Sequence, residues 1–231
     1  MDIGGFQGVS LIDFPGEITS IVFTTGCNFK CPFCHNGALV RNEFEPVTGE
    51  QVLEKLKGRK DFITAVTVTG GEPTIQSDLV EFLTKIRKLD VKVKLDTNGS
   101  RPEVLKEIVS NSLVDYFAMD IKAPFSRYEE VAGTEANLDK IKESIELIKD
   151  QKKYEFRTTV VPDLLSPEEI LKTAKQVKGA QKYALQQFEP RDGMVAPEFK
   201  DKKAYSPKRI KEIGDQIKDW FGELKYRGME E

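Results

Sequence analysis

Residues 18–36 read ITSIVFTTGCNFKCPFCHN. A run rich in β-branched residues, 18–24, meets Gly26 and then three cysteines within eight residues, Cys27, Cys31 and Cys34. Branched side chains fit a pleated surface, so the run predicts a short strand, and the residues after it predict a loop at its C-terminal end. Similar runs recur at 65–69, 91–96, 116–120, 155–161 and 183–188, each ending in a polar turn. Helical periodicity follows most of them. Leu79, Val80, Leu83 and Ile86 share a face within 77–88, and Leu138, Ile141, Ile145 and Ile148 share one within 137–149.

Start signals agree with these helices. Thr48-Gly49-Glu50-Gln51 and Ser166-Pro167-Glu168-Glu169 have the spacing of capping boxes, the second with proline at the first helical position. Pro102 sits near the start of a shorter helix. Ser206-Pro207 opens a last one, expected over 206–222 with Ile210, Ile213, Ile217 and Phe221 on its apolar face. Six strands alternating with helices predict an α/β fold of parallel strands with right-handed crossovers. A partial (βα)6 TIM-like barrel fits, two units short of a closed eight. A doubly wound sheet shares the periodicity and stays open as an alternative. No linker or composition break divides the chain, so one domain is expected over 1–231, with its core at about 17–190.

The charge balance, 35 basic against 38 acidic residues, gives no bias toward nucleic acid. No apolar run approaches the roughly 18–20 residues of a membrane span, and the first eight residues lack a secretory pattern, so a cytoplasmic protein is expected. Three cysteines packed so closely argue against a disulfide framework. The chain has a single histidine, His35, which excludes a histidine-rich zinc hydrolase.

Polar motifs stand at the C-terminal end of every predicted strand. The cysteine loop follows the first, Gly70-Gly71-Glu72-Pro73 the second, and Asp96-Thr97-Asn98-Gly99 ends the third. Asp120-Ile121-Lys122 ends the fourth, the fifth contains Arg157 and ends in Val161-Pro162, and Gln186-Gln187-Phe188-Glu189 ends the sixth. Loops at that end of parallel β/α units converge on one ligand site.

The cysteine spacing is C-x3-C-x2-C. Three thiolates on one loop can each take one iron of a cubane and leave the fourth iron without a protein ligand, whereas a structural cluster is closed by four cysteines. A zinc knuckle, or three reduced bystander thiols, is the plainer alternative; His35, adjacent to Cys34, is badly placed to close a tetrahedron.

With Phe33 in its aromatic slot, the loop resembles the signature of the radical S-adenosylmethionine (SAM) superfamily. That resemblance implies a [4Fe–4S] cluster on Cys27, Cys31 and Cys34, SAM chelated by the open iron, and a complete or partial (βα) barrel. It further implies reductive cleavage of SAM to methionine and a 5′-deoxyadenosyl radical. Thr69-Gly70-Gly71-Glu72-Pro73 resembles the family's Gly-Gly-Glu segment, implying that Gly70, Gly71 and Glu72 bind the SAM amino group.

A narrower resemblance is to the glycyl radical enzyme activating enzymes. Asp13-Phe14-Pro15-Gly16 is similar to their Asp-Gly-Pro-Gly, with Phe14 in place of glycine, and Cys34-His35-Asn36 matches their Cys-His-Asn. Asp96-Thr97-Asn98-Gly99 and Asp120-Ile121-Lys122 match their third- and fourth-strand motifs. The implied SAM contacts are Phe33, His35, Asp96, Asn98, Lys122 and Arg157, with Asp96 and Asp120 also holding a monovalent cation. Strand 6 carries Gln186-Gln187 where formate-lyase activators carry histidine. With Ile3-Gly4-Gly5-Phe6 and Ser10-Leu11-Ile12-Asp13, that ending looks like the anaerobic ribonucleoside-triphosphate reductase activating proteins. The resemblance runs from about residue 3 to 190.

The activity so implied takes an electron from reduced flavodoxin or ferredoxin and a hydrogen atom from a glycine of a partner glycyl radical enzyme, such as an anaerobic ribonucleotide reductase. No acid–base catalyst is assigned to a hydrogen-atom transfer. Two other functions stay open: a small-molecule radical SAM enzyme such as a carboxydeazaguanine synthase, and a non-enzymatic iron–sulfur electron-transfer module. Whether Gln186 or Gln187 faces the site, and which segment docks a partner, are left unassigned.

Overall fold

The computed structural model describes residues 1–229. All six predicted strands form, with ends displaced by no more than a residue. They are β2 (Thr19–Thr24), β4 (Ala65–Gly70), β5 (Lys92–Thr97), β6 (Tyr116–Asp120), β7 (Tyr154–Val160) and β8 (Lys182–Gln187). Each pairs in parallel with the next.

Three further strands extend this sheet. β1 (Asp2–Ser10) lies antiparallel on β2, β3 (Val47–Thr48) antiparallel on β1, and β9 (Glu223–Arg227) parallel on β8. The order is β3-β1-β2-β4-β5-β6-β7-β8-β9. With β3 and β9 at separate ends, the barrel is open.

The nine residues of β1 include Gly4, Gly5 and Gly8, which have low strand propensity; pairing with β2 overrides it. β9 corrects the expected helix over 206–222. Helix α8 spans Pro207–Asp215, a 3₁₀ turn follows at Lys218–Trp220, and the chain then leaves as a strand. Gly222 and Glu223 donate backbone N–H groups to the carbonyls of Ala180 and Gln181 at 3.1 and 2.8 Å. The free edge of β8 thereby captures the segment before the helix can continue. Ile217 and Phe221 remain buried, now from the turn and the approach to β9.

The other helices are α1 (Gly37–Val40), α2 (Gly49–Lys57), α3 (Leu79–Arg87), α4 (Pro102–Ser110), α5 (Tyr128–Ala132), α6 (Leu138–Lys149) and α7 (Pro167–Lys175). Both predicted capping boxes form, from Thr48 and Ser166. On one side of the sheet most strand residues are apolar and pack on the helices. Val66, Val68, Val93, Leu95, Phe117, Met119, Phe156 and Leu185 join Leu83, Ile86, Leu105, Ile108, Ile145 and Ile213 in one core. Burying each such side chain contributes about 1.5–3 kcal/mol.

Of the alternate residues, which face the opposite side, Thr67, Thr69, Lys94, Asp96, Asp120, Glu155 and Arg157 are polar, set among apolar ones such as Ile21, Ala65, Ala118 and Ala184. A doubly wound sheet needs apolar residues on both faces; a barrel lumen accepts polar ones. Arg157 on β7 bonds Asp96 on β5 across β6, as side chains do on the concave face of a barrel. At the N-terminal mouth of the lumen, Phe14 packs on Ala65 and Tyr116, its ring centroid 5.6 Å from that of Tyr116. The departure from glycine at position 14 is therefore an apolar plug. Among the described residues no helix is long and apolar enough to cross a membrane.

Candidate active site at the strand ends

The cysteine loop leaves β2 and is tied by backbone hydrogen bonds to three separate segments. Glu72 N–H donates to the Gly26 carbonyl at 2.8 Å, and Lys30 N–H to that of Ala132 at 2.8 Å. Val195 and Ala196 N–H groups donate to the carbonyls of Cys34 and Pro32 at 3.0 and 3.1 Å, and Gly37 N–H to Gly193 at 3.1 Å. The segment near 193–196 lies beyond the last motif recognised in the sequence, and backbone contacts of this kind leave no signal in residue types. Cys31 is buried, Cys27 and Cys34 half-buried. Burial pushes the thiol of Cys27 up to about 12, aided by the nearby Glu72 carboxylate. Burial also raises that of Cys31 to about 11, against the opposing charge of Lys122.

Gly70 and Gly71 are required by close backbone packing. Gly70 has φ +117°, and a Cβ there would lie 2.4 Å from the Thr24 nitrogen; one on Gly71 would lie 1.7 Å from the Gly26 carbonyl oxygen. The pair packs directly on the root of the cysteine loop. Glu72, in the segment whose resemblance implies a SAM contact, has its side chain turned inward at 1% exposure. Its carboxylate accepts from Thr74 N–H (3.1 Å), Thr74 Oγ1 (2.5 Å), Thr97 Oγ1 (2.7 Å) and Asn98 N–H (2.6 Å). A buried carboxylate with four donors is fully engaged, so Glu72 braces the β4 loop against the end of β5.

Asn98 continues that brace toward the cysteines. Its Nδ2 donates to Asn28 Oδ1 at 3.0 Å and lies 4.0 Å from Cys27 Sγ, while the Phe29 N–H donates to the same sulfur at 3.3 Å. Asn36 donates to the Gly70 carbonyl at 3.3 Å. Phe33, one of the implied SAM contacts, is 7% exposed and belongs to the main core. His35 is exposed on the rim.

The lumen side of the rim carries a charge cluster. Arg157 donates from Nε to Asp120 Oδ1 at 2.8 Å and from NH1 to Asp96 Oδ2 at 3.0 Å. Lys122 Nζ reaches Asp120 Oδ2 at 3.0 Å, and Lys94 Nζ reaches Asp96 Oδ1 at 2.5 Å. Burial pushes both carboxyls up, but the Arg157 guanidinium with Lys122 or Lys94 outweighs it and holds both below the usual carboxylate range. Lys94 had no motif to mark it; its alternation with Asp96 along β5 was the available signal. Gln187 donates to the Tyr205 carbonyl at 3.2 Å, which leaves Gln186, of the same parity as Ala184, toward the lumen.

Among the described residues no three His, Cys, Asp or Glu side chains gather closely enough to hold a single metal ion. A cubane asks for something else: three separate thiolates, one per iron. The donor set and the N–H groups turned to Cys27 Sγ fit that group.

The radical SAM superfamily model matches residues 21–177, from β2 through the turn after α7. The chain belongs to the radical SAM superfamily. Membership of the superfamily implies a [4Fe–4S] cluster and SAM. A Methanocaldococcus jannaschii protein provisionally named as a glycyl-radical enzyme activating enzyme is 35% identical over 97% of this chain and 95% of its own. A 7-carboxy-7-deazaguanine synthase of Methanopyrus kandleri is 30% identical over 48% of this chain and 52% of its own. Among solved structures, Streptococcus suis SuiB bound to precursor peptide SuiA superposes with a TM-score of 0.72 at 16% identity, covering 90% of this chain. The chain spans about half the length of SuiB, 48%. A likeness at that identity shows the fold alone, a radical SAM partial barrel.

Proposed function

We propose that this radical SAM enzyme is an activase that takes a hydrogen atom from a glycine of a partner glycyl radical enzyme. The observation that carries the proposal is the extent of likeness: the activating-enzyme relative matches nearly end to end, whereas the carboxydeazaguanine synthase matches about half of each chain.

When bound, the [4Fe–4S] cluster supplies the electron that splits SAM to methionine and a deoxyadenosyl radical. Cys27, Cys31 and Cys34 hold that cluster. Gly70 and Gly71 bring backbone to the loop's root, Asn98 and Asn28 fix Cys27, and Glu72 braces both from behind. Arg157 and Lys122 orient the carboxylate end of SAM, while His35 and Gln186 stand on the open rim. Fixing the reacting sulfonium beside the electron source is positioning catalysis. Reduced flavodoxin or ferredoxin is the proposed donor, and an anaerobic ribonucleotide reductase the first partner to test.

The experiment is anaerobic. Reconstituted, reduced enzyme is mixed with SAM and a candidate glycyl radical enzyme, and the sample is examined by electron paramagnetic resonance. A glycyl doublet that appears only with all components supports the proposal. Cleavage of SAM with no doublet on any partner, but turnover of a pterin substrate, favours the deazaguanine synthase reading.

A further inference from the structure

The carboxylate pair expected to hold a monovalent cation does not fit one. A sodium or potassium ion needs several free oxygen ligands, and here every carboxylate oxygen already meets a charged donor. Asp96 Oδ1 faces Lys94 Nζ at 2.5 Å, and Asp96 Oδ2 faces Arg157 at 3.0 Å and Thr69 Oγ1 at 3.2 Å. Asp120 Oδ1 faces Arg157 at 2.8 Å, and its Oδ2 faces Lys122 at 3.0 Å. Two carboxylates stand against three side-chain cations, so the cluster already carries a surplus positive charge that repels a further one.

Lys94 is the unusual member. Its side chain is 2% exposed, it sits two residues below Asp96 on the lumen face of β5, and Asp96 is its one hydrogen-bond acceptor among the described residues. Burying an ammonium is costly unless it is paired, and Asp96 is the carboxylate that pairs it.

We propose that Lys94 is a built-in cation: its ammonium holds Asp96 in place of a sodium or potassium ion. Asp96 in turn fixes the Arg157 guanidinium, and the surplus positive charge is left for an anionic ligand group. Lys94 is a positioning residue, acting through Asp96 and Arg157. The assignment of that anionic group to the carboxylate of SAM rests on the function proposed above; the exclusion of a monovalent cation does not.

The test measures SAM affinity of the reconstituted protein by calorimetry in potassium, sodium and tetramethylammonium chloride at equal ionic strength. The wild-type Kd is expected to agree within about twofold across the three salts. Lys94→Ala opens space beside Asp96, and its affinity is expected to fall about tenfold in tetramethylammonium and to recover in potassium or sodium. Lys94→Met keeps the volume without the charge, so it weakens in all three salts with no recovery. As a readout independent of SAM, the unfolding midpoint of the iron-free chain is compared in the same salts. Wild type is expected to be indifferent, and Lys94→Ala to be raised by potassium or sodium. A wild-type protein that needs potassium or sodium for SAM affinity, or a Lys94→Ala variant indifferent to the salt in both readouts, overturns the proposal. If Lys94→Ala does not fold, the wild-type salt series and Lys94→Met decide. Failure to bind SAM in any salt removes the proposed function, while the iron-free midpoints still judge Lys94.

Discussion

The N–H of Val195 donates to the carbonyl of Cys34 at 3.0 Å, clasping the third cysteine with a segment from far down the chain. The neighbouring bond from Ala196 to Pro32 makes the clasp two-pronged. Together they fix the C-terminal half of the cysteine loop independently of β2.

Replacing Val195 by proline removes one donor, which costs about 1 kcal/mol. The chain is expected to fold and take up iron, yet lose its cluster to a chelator about fivefold faster than wild type. Absorbance decay under anaerobic chelation measures this, and unchanged decay shows the clasp to be incidental.

Gly71→Ala is expected to be far more damaging, since the added Cβ would stand 1.7 Å from the Gly26 carbonyl oxygen. Backbone must shift at the root of the loop. Iron bound per chain after reconstitution is expected to fall to a small fraction of wild type, with the circular dichroism of the barrel retained. Normal iron content in this variant shows that the loop tolerates displacement.

Asp120 supports an acid-stability prediction. Its folded-state pKa is depressed, so its ion pairs stabilise the fold fully above the unfolded value near 4, and that contribution is lost as pH falls toward the folded value. Asp120→Asn is expected to cost about 2 kcal/mol at pH 7, less than the several kcal/mol of a fully buried pair because Asp120 is 31% exposed. Urea unfolding is expected to show the gap from wild type narrowing below pH 4. A gap that stays constant to pH 3 contradicts the assignment.

Glu155 is 1% exposed, and both its oxygens are met by Arg227 at 2.8 Å. Arg227→Ala leaves this carboxylate buried without its partner and is expected to destabilise by about 3 kcal/mol. Adding Glu155→Gln is expected to recover part of that loss, because the uncompensated charge is gone. A double-mutant cycle in urea with no coupling contradicts the pairing.

The sequence and the structure agree where local chemistry dictates conformation. Val22, Val68, Leu95, Met119 and Leu185 mark strands by alternation, and Thr48 and Ser166 mark helix starts by their side-chain hydrogen bonds. Gly70, Gly71, Glu72 and Asn98 are legible in the sequence as a site; that all four also brace the cysteine loop is revealed only by neighbours distant in the chain. The glycine-rich β1 and the short β9 were hidden because each is a strand by virtue of the edge it joins. Lys94 reads in isolation as one more charge in a lysine-rich strand, and becomes distinctive only when Asp96 and Arg157 close over it.

The decisive measurement is 5′-deoxyadenosine produced anaerobically by the reconstituted, reduced protein given SAM, against Cys31→Ala. Deoxyadenosine is expected from the wild-type chain and none above background from the variant. A wild-type protein that takes up and reduces a [4Fe–4S] cluster but leaves SAM intact contradicts the radical mechanism and makes the electron-transfer module the better description.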